Sequence, residues 1–304
     1  DRRSSSNQIS GNYVHNNKNG IYGLATTYNN IMDNFVYNNT DYGIYLLSNA
    51  NNNNITNNTL FNNTNGVRLS SSVYNNLTGN SVYNNSEGIR LLSSSNYNNL
   101  TGNIVFNNSP GTSGKGGITL SSSSDYNNLS LNEIYNNYNG IFLNNVGNNT
   151  LWNNRIHHNN YGVRLESSNF TSITYNNISE NTNYGINILS YSSENTIHHN
   201  NFYQNNGGAT QAKDDAGNNS WNDTTDGNWW NTFDESSEGC NDTTPVDGKC
   251  DSPYILDGTA NAQDNYPLTQ QVPGVSEFPQ TIITGIIYIV GLILIMRKLK
   301  LQSA

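Results

Sequence analysis

A glycine followed by a small or β-branched residue returns along this chain at an almost constant spacing. It stands at Gly20, Gly43, Gly66, Gly88, Gly117, Gly140, Gly162, Gly185 and Gly208, with intervals of 23, 23, 22, 29, 23, 22, 23 and 23 residues. The one long interval holds an insertion, SPGTSGKGG, at residues 109–117. A fixed period of this length marks stacked supersecondary units, each burying its apolar face against the next. Without the period, 64 Asn among 304 residues would point to a low-complexity, disordered chain.

The apolar positions keep the same beat. One row runs Ile9, Ile31, Ile55, Leu77, Leu100, Leu129, Leu151, Ile173, Ile197. A second, five residues on in most coils, runs Val14, Val36, Leu60, Val82, Val105, Ile134, Ile156, Ile178, Phe202. The third is the residue after each Gly. Many of these residues are β-branched and sit in very short runs, which favours strands over helix. Leucine-rich repeats share the period but need a long Leu-dominated consensus. The reading is therefore all-β: a single-stranded right-handed parallel β-helix of about nine coils of 22–23 residues, plus a C-terminal transmembrane helix. Strands one coil apart lie about 4.8 Å from each other, so nine coils make a rod on the order of 40 Å long.

Asn fills three further rows. The first is a structural ladder of Asn12, Asn34, Asn58, Asn80, Asn103, Asn132, Asn154, Asn176 and Asn200. The second runs from Asn17 to Asn205, and the third from Asn7 to Asn195 with Thr171 replacing one member. Asn tolerates the left-handed backbone of sharp corners, and stacked amides hydrogen-bond along the axis. A structural role outweighs a catalytic one for these residues.

Coils of the form NNxLTGNxVYNNxxGIxLxxSSxY resemble the right-handed β-helix proteins of the NosD and carbohydrate-binding/sugar-hydrolase (CASH) type. GNWWNTF, CDSPYILDG and DNYPL after the coils resemble the closing segment of archaeal surface proteins of that group. The resemblance covers nearly the whole chain and implies the fold far more narrowly than the activity. Its relatives include pectin lyases, polygalacturonases and uronate epimerases, while NosD itself is linked to copper delivery.

Charge divides the chain. Residues 1–208, the coils, carry nine acids and eight bases, whereas 209–280 carry thirteen acids and two Lys. Residues 209–270 read as an acidic, aromatic-rich cap and 271–281 as a linker. Residues 282–296, IITGIIYIVGLILIM, read as a membrane-anchoring helix, and 297–304 as a basic cytoplasmic tail. VSEFP at 275–279 resembles an archaeal PEF-type sorting signal, although Ser276 stands where that motif carries Pro. The chain begins at Asp1 rather than Met, which reads as a processed or truncated product. These features place the rod on the outer face of a cell envelope. Net charge −9 argues against nucleic acid as a partner.

In an extracellular setting Cys240 and Cys250 read as a disulfide. Asn54, Asn62, Asn76, Asn99, Asn218, Asn222 and Asn241 begin N-x-S/T sequons and are glycosylation candidates. Chemistry is sparse in the coils. Hydrolases need carboxylates paired at a fixed separation, and no such pair falls on neighbouring rungs. Arg68, Arg90 and Arg164 share one outward register, as an acidic-glycan docking row or as solvated Arg partnered by Glu87 and Glu166. Tyr37, Phe61, Tyr83, Phe106 and Tyr135 share another, which either stacks on sugar rings or stabilises itself rung to rung. His157–His158 and His198–His199 differ in register and lack soft partners for copper. Asp242, Asp247 and Asp251 around a Gly form a candidate Ca2+ loop. No cofactor is required by any of these motifs. The reading is a non-catalytic cell-surface structural or adhesive β-helix, anchored in the membrane, whose candidate partners are surface glycans, other envelope proteins, or a second rod end to end. The alternatives are a polysaccharide lyase, hydrolase or epimerase, and a copper maturation factor.

Overall fold

The structure, a computed structural model, describes residues 4–109, 111 and 114–275. Three parallel sheets run along one axis. The first has nine strands, from Gln8–Ser10 to Thr196–His198. The second has ten, from Tyr13–His15 to Trp229–Trp230. The third has nine, from Asn19–Leu24 to Ala212–Asp214. Each strand pairs with its equivalent one coil on, so like stacks on like. Ile31 lies between Ile9 and Ile55, Val82 between Leu60 and Val105, and Ile89 between Val67 and Ile118. These rows are the core. The molecule is a right-handed parallel β-solenoid of about nine coils.

The first two sheets use three-residue strands because only the middle residue points inward, and a corner follows at once. The left-handed backbone falls on the residue before each ladder Asn, not on the Asn itself. Asp33, Asn57, Gly79, Gly102 and Leu131 have positive φ and precede Asn34, Asn58, Asn80, Asn103 and Asn132. The reason is division of labour. The corner residue turns its side chain to solvent, which leaves the next residue free to send its amide into the wall.

Inside the first ladder the amides are saturated. The backbone N–H and Nδ2 of Asn80 both donate to Oδ1 of Asn103, at 3.0 and 2.9 Å. The other Nδ2 hydrogen goes to the Ile55 carbonyl at 2.8 Å. Oδ1 of Asn80 accepts the same pair from Asn58. All rungs donate towards the C-terminal end, so each ladder needs an acceptor there. The first gains Asn228 and passes to Asp264. The second ends on Oε1 of Gln211. The third ends through Asn219 on the Asp214 carboxylate.

The glycine row lies beside the second ladder. A Cβ on Gly43 would sit 2.5 Å from the Gly66 carbonyl oxygen and 3.1 Å from Asn63 Nδ2, so no side chain fits. Gly208, counted with this row by spacing, is out of register. Ala212 pairs with Ile186, and Gln211 takes the position equivalent to Gly185.

The coil pattern also continues past residue 208. Trp229–Trp230 adds a strand to the second sheet, and Trp230 stacks on Phe202 with centroids 4.1 Å apart. Tyr254 stacks on Trp230 at 4.1 Å, and Phe233 meets Tyr254 edge-on at 5.7 Å. Trp221 is fully buried beside them. Cys240 and Cys250 are joined by a disulfide. The linker beyond Val275, the apolar segment 282–296 and the basic tail lie outside the described residues. Among the described residues no helix is long and apolar enough to cross a membrane.

Candidate functional site: an arginine-lined sheet face

The third sheet has the longest strands, six residues each in most coils, and therefore the broadest outer face. On it Arg68 and Arg90 are register partners on adjacent rungs. The Arg68 guanidinium lies 5.3 and 5.4 Å from the ring centroids of Tyr42 and Tyr45, and its Nη1 donates to the Tyr42 hydroxyl at 3.3 Å. Arg90 pairs with Glu87 at 3.1 Å. The same Glu87 oxygen, Oε2, accepts from Asn65 Nδ2 at 2.9 Å. Three rungs beyond Arg90, Arg164 lies 5.4 Å from the Phe142 ring and 3.6 Å from Glu166. Both readings of the arginine row thus have a basis: Arg90 and Arg164 have their carboxylates, while Arg68 is held only by tyrosines among the contacts described.

This face is unusually withdrawn from water for an outer surface. Glu87 is 1% exposed, although its carboxylate pairs with the partly exposed Arg90. Asn19 Oδ1, Arg68 Nε, Glu87 Oε1, Arg90 Nε, Ser121 Oγ and Asn187 Oδ1 are buried without a hydrogen-bond partner, and all six belong to third-sheet strands. Each such atom costs about 1–3 kcal/mol unless water or a ligand completes it. Lys115, at the end of the insertion, lies against this face, its carbonyl accepting from Asn139 Nδ2 at 2.7 Å.

Carboxylate geometry limits the chemistry. Glu87 and Glu166 are three rungs apart, about 14 Å at 4.8 Å per rung. Paired carboxylates for glycoside hydrolysis stand ~5–9.5 Å apart.

The outer aromatic row of the second sheet is a continuous stack. His15, Tyr37, Phe61, Tyr83, Phe106, Tyr135 and His157 follow one another with centroids 4.8–5.1 Å apart and planes within 19°. Inside the stack each ring face is covered by its neighbours, which leaves edges and hydroxyls outward. At one end Glu133 bonds Arg155 at 2.9 Å and His157 at 3.3 Å. Burial and then the Glu133 charge push the Tyr135 hydroxyl up to about 12. Burial pulls the His157 imidazole below its ordinary range, against the hydrogen bond to Glu133.

Asp242, Asp247 and Asp251 are not brought together. Asp242 accepts the backbone N–H groups of Asp247 and Gly248, Asp251 accepts from Thr243, and Asp247 faces Lys249 at 3.7 Å. Among the described residues, one group of three or more potential metal ligands does converge: His198, His199 and Asp223. Sequence reasoning missed Asp223 because the cap, not the repeat, delivers it. Of the sequon residues, Asn54, Asn62, Asn76, Asn218 and Asn241 are exposed, while Asn99 and Asn222 are half-buried. Nδ2 of Asn54 and Asn76 each donates to an amide one coil back.

The fold is that of the pectin-lyase-like β-helix proteins. The A-module of mannuronan C-5 epimerase AlgE4 from Azotobacter vinelandii aligns over 75% of this chain and 70% of its own length, at 18% identity and TM-score 0.59. The AlgE6 A-module from the same organism aligns over 75% and 69%, at 16% identity and TM-score 0.59. XylC in complex with xylose aligns over 61% and 37%, at 13% identity and TM-score 0.53. These likenesses establish fold alone. No curated protein sequence matches the chain significantly. The profile of the family described as "Periplasmic copper-binding protein (NosD)" matches residues 2–116 and 111–235, and the chain belongs to that family.

Proposed function

We propose that this NosD-family rod binds an acidic glycan on the third-sheet face and does not turn it over. The observation that carries the reading is the set of desolvated, unpartnered polar atoms beside Arg68 and Arg90. A uronate residue offers the matching groups. Its carboxylate accepts from guanidinium nitrogens that reach the surface, as those of the partly exposed Arg90 do. The AlgE4 and AlgE6 modules are by name epimerases of mannuronan, a polyuronate, which supports that substrate class for the fold. The carboxylates support binding without catalysis: Glu87 and Glu166 each pair with an Arg and stand three rungs apart.

The same reading places the rod on the outer side of the cell envelope, held by the C-terminal apolar segment, in an adhesive or structural role with N-glycans on exposed sequons. The family description, a periplasmic protein, supports an envelope location. The test is a glycan array probed with the purified chain, paired with product analysis. Retention of polyuronates over neutral glycans, with no new reducing or unsaturated ends, is expected. Equal retention of neutral glycans, or turnover, contradicts the reading.

A further inference from the structure

Among the described residues, the nine strands of the first sheet carry no Asp, Glu, Lys or Arg. Each three-residue strand turns two side chains outward, about 6.6 Å apart, onto a flat face of amides and hydroxyls. One outward row reads Asn128, Thr150 and Ser172, and the other Ser130, Trp152 and Thr174. Among the described residues, the Thr150 and Ser172 hydroxyls have no hydrogen-bond partner.

Aromatic rings stand at the edge of this face where the backbone resists them. The corner leading into the first sheet is left-handed, and Tyr28, Tyr74, Tyr97, Tyr126 and Phe170 occupy it with φ of 55–59°. At the corner after the second sheet, the same conformation falls on Asn16, Asn38, Asn62, Asn84, Asn107 and Asn136. Asn is at ease there and a bulky ring is not. Core packing does not select these rings, since Phe170 is 59% exposed. Mutual stacking accounts for Tyr74, Tyr97 and Tyr126, whose centroids lie 5.1–5.2 Å apart. Phe170 has no ring partner among the described residues. Strain that the fold itself does not repay points to a binding position.

Trp152 lies across the strands from Phe170 and is 42% exposed, whereas Trp221, Trp229 and Trp230 are buried. Ser130 and Thr174 flank it in the outward row and are nonetheless buried, as they are when the indole lies over them. One indole face is then open to solvent. Between Trp152 and Phe170 stand the free hydroxyls of Thr150 and Ser172.

We propose that Trp152, Phe170, Thr150 and Ser172 form a second glycan site, which takes a neutral β-1,4-linked chain. Such a chain is a flat ribbon whose C–H faces pack on aromatic rings and whose hydroxyls both donate and accept. A uronate would lose water here with no cation to replace it. With one indole and one phenyl ring against a row of arginines, neutral chains bind here more weakly than polyuronates bind the third sheet. The site does not rest on the acidic-glycan reading.

The test is titration of the full chain with cellohexaose, followed by tryptophan emission and by ligand-observed NMR. Because Trp152 is the exposed indole, its emission should change on binding. Trp152→Ala should weaken cellohexaose roughly tenfold or more. Phe170→Asn should weaken it about threefold or more, yet melt at the same temperature as the parent or higher, because Asn148 already serves this corner one coil back. Arg68→Ala/Arg90→Ala, confirmed as folded, should bind cellohexaose as the parent does. Maltohexaose, whose α-linkages coil the chain, should bind more weakly than cellohexaose. No emission change at millimolar cellohexaose overturns the proposal, as does parent-like affinity in both Trp152→Ala and Phe170→Asn. A lower melting temperature for Phe170→Asn also overturns it, since the ring would then serve the coil. So does loss of cellohexaose binding in the folded arginine variant, or equal binding of maltohexaose.

Discussion

The backbone N–H of Asn228 donates to Oδ2 of Asp264 at 2.7 Å, and this contact closes the longest amide ladder of the rod. Ten stacked Asn side chains from Asn12 to Asn228 all donate in one direction, which leaves donors at the C-terminal end. A carboxylate, which only accepts, is the matching terminator. Asp264 also takes Trp230 Nε1 at 3.0 Å, so the ladder and the aromatic lid share one anchor.

Burial pushes Asp264 up to about 6 from an ordinary 3.8, against the hydrogen bonds that favour its charge. The fold therefore binds this proton more tightly than the unfolded chain does. The stability it contributes is complete below about pH 4 and is lost as pH rises through about 6. Relative to Asp264→Asn, the parent should gain melting temperature between pH 7 and pH 5. Parallel pH profiles for parent and variant would show that Asp264 does not titrate in this range.

Asn80→Ala should cost about 1–3 kcal/mol, because it orphans the donors of Asn58 and the carbonyl of Ile55 inside the wall. Asn54→Ala, in an exposed row of the first sheet, should stay within about 0.5 kcal/mol. Denaturant melts of the two variants test the difference. Equal effects would mean that the buried ladder does not stabilise the rod.

Replacing Cys240 and Cys250 by Ser should cost about 2–3 kcal/mol, the loop-closure value for so short a loop. The bridge neighbours Phe233, which packs on the Tyr254–Trp230 stack covering the end of the rod. Sedimentation should therefore show end-to-end association of the double variant. A monomer of unchanged stability would reduce the bridge to a local staple.

The coils were legible because a solenoid writes its fold once per turn. Val14 to Phe202 could be placed on one wall by counting alone, and the first Asn ladder falls in the register the spacing gives. Counting failed where the period slipped. Asn200 and Asn228 are 28 residues apart, and aromatic rings replace aliphatic ones at Trp230, so the last rung read as a separate segment. Gly208 kept the interval but lost the register for the same reason. The arginine row could be located but not weighed, since burial of Glu87 depends on its neighbours across strands. The His198–His199–Asp223 cluster was invisible because its third member comes from the cap.

The most direct measurement is binding of polygalacturonate by the parent and by the Arg68→Ala/Arg90→Ala variant, at low and at raised salt. Arg90→Ala also takes the cation from the buried Glu87 carboxylate, so circular dichroism and a thermal melt establish that the variant is folded before binding is compared. The account predicts at least a tenfold loss of affinity, about 1.4 kcal/mol or more, together with a weaker salt dependence than the parent shows. Parent-like affinity in the folded variant would contradict it and move any glycan contact to another face of the rod.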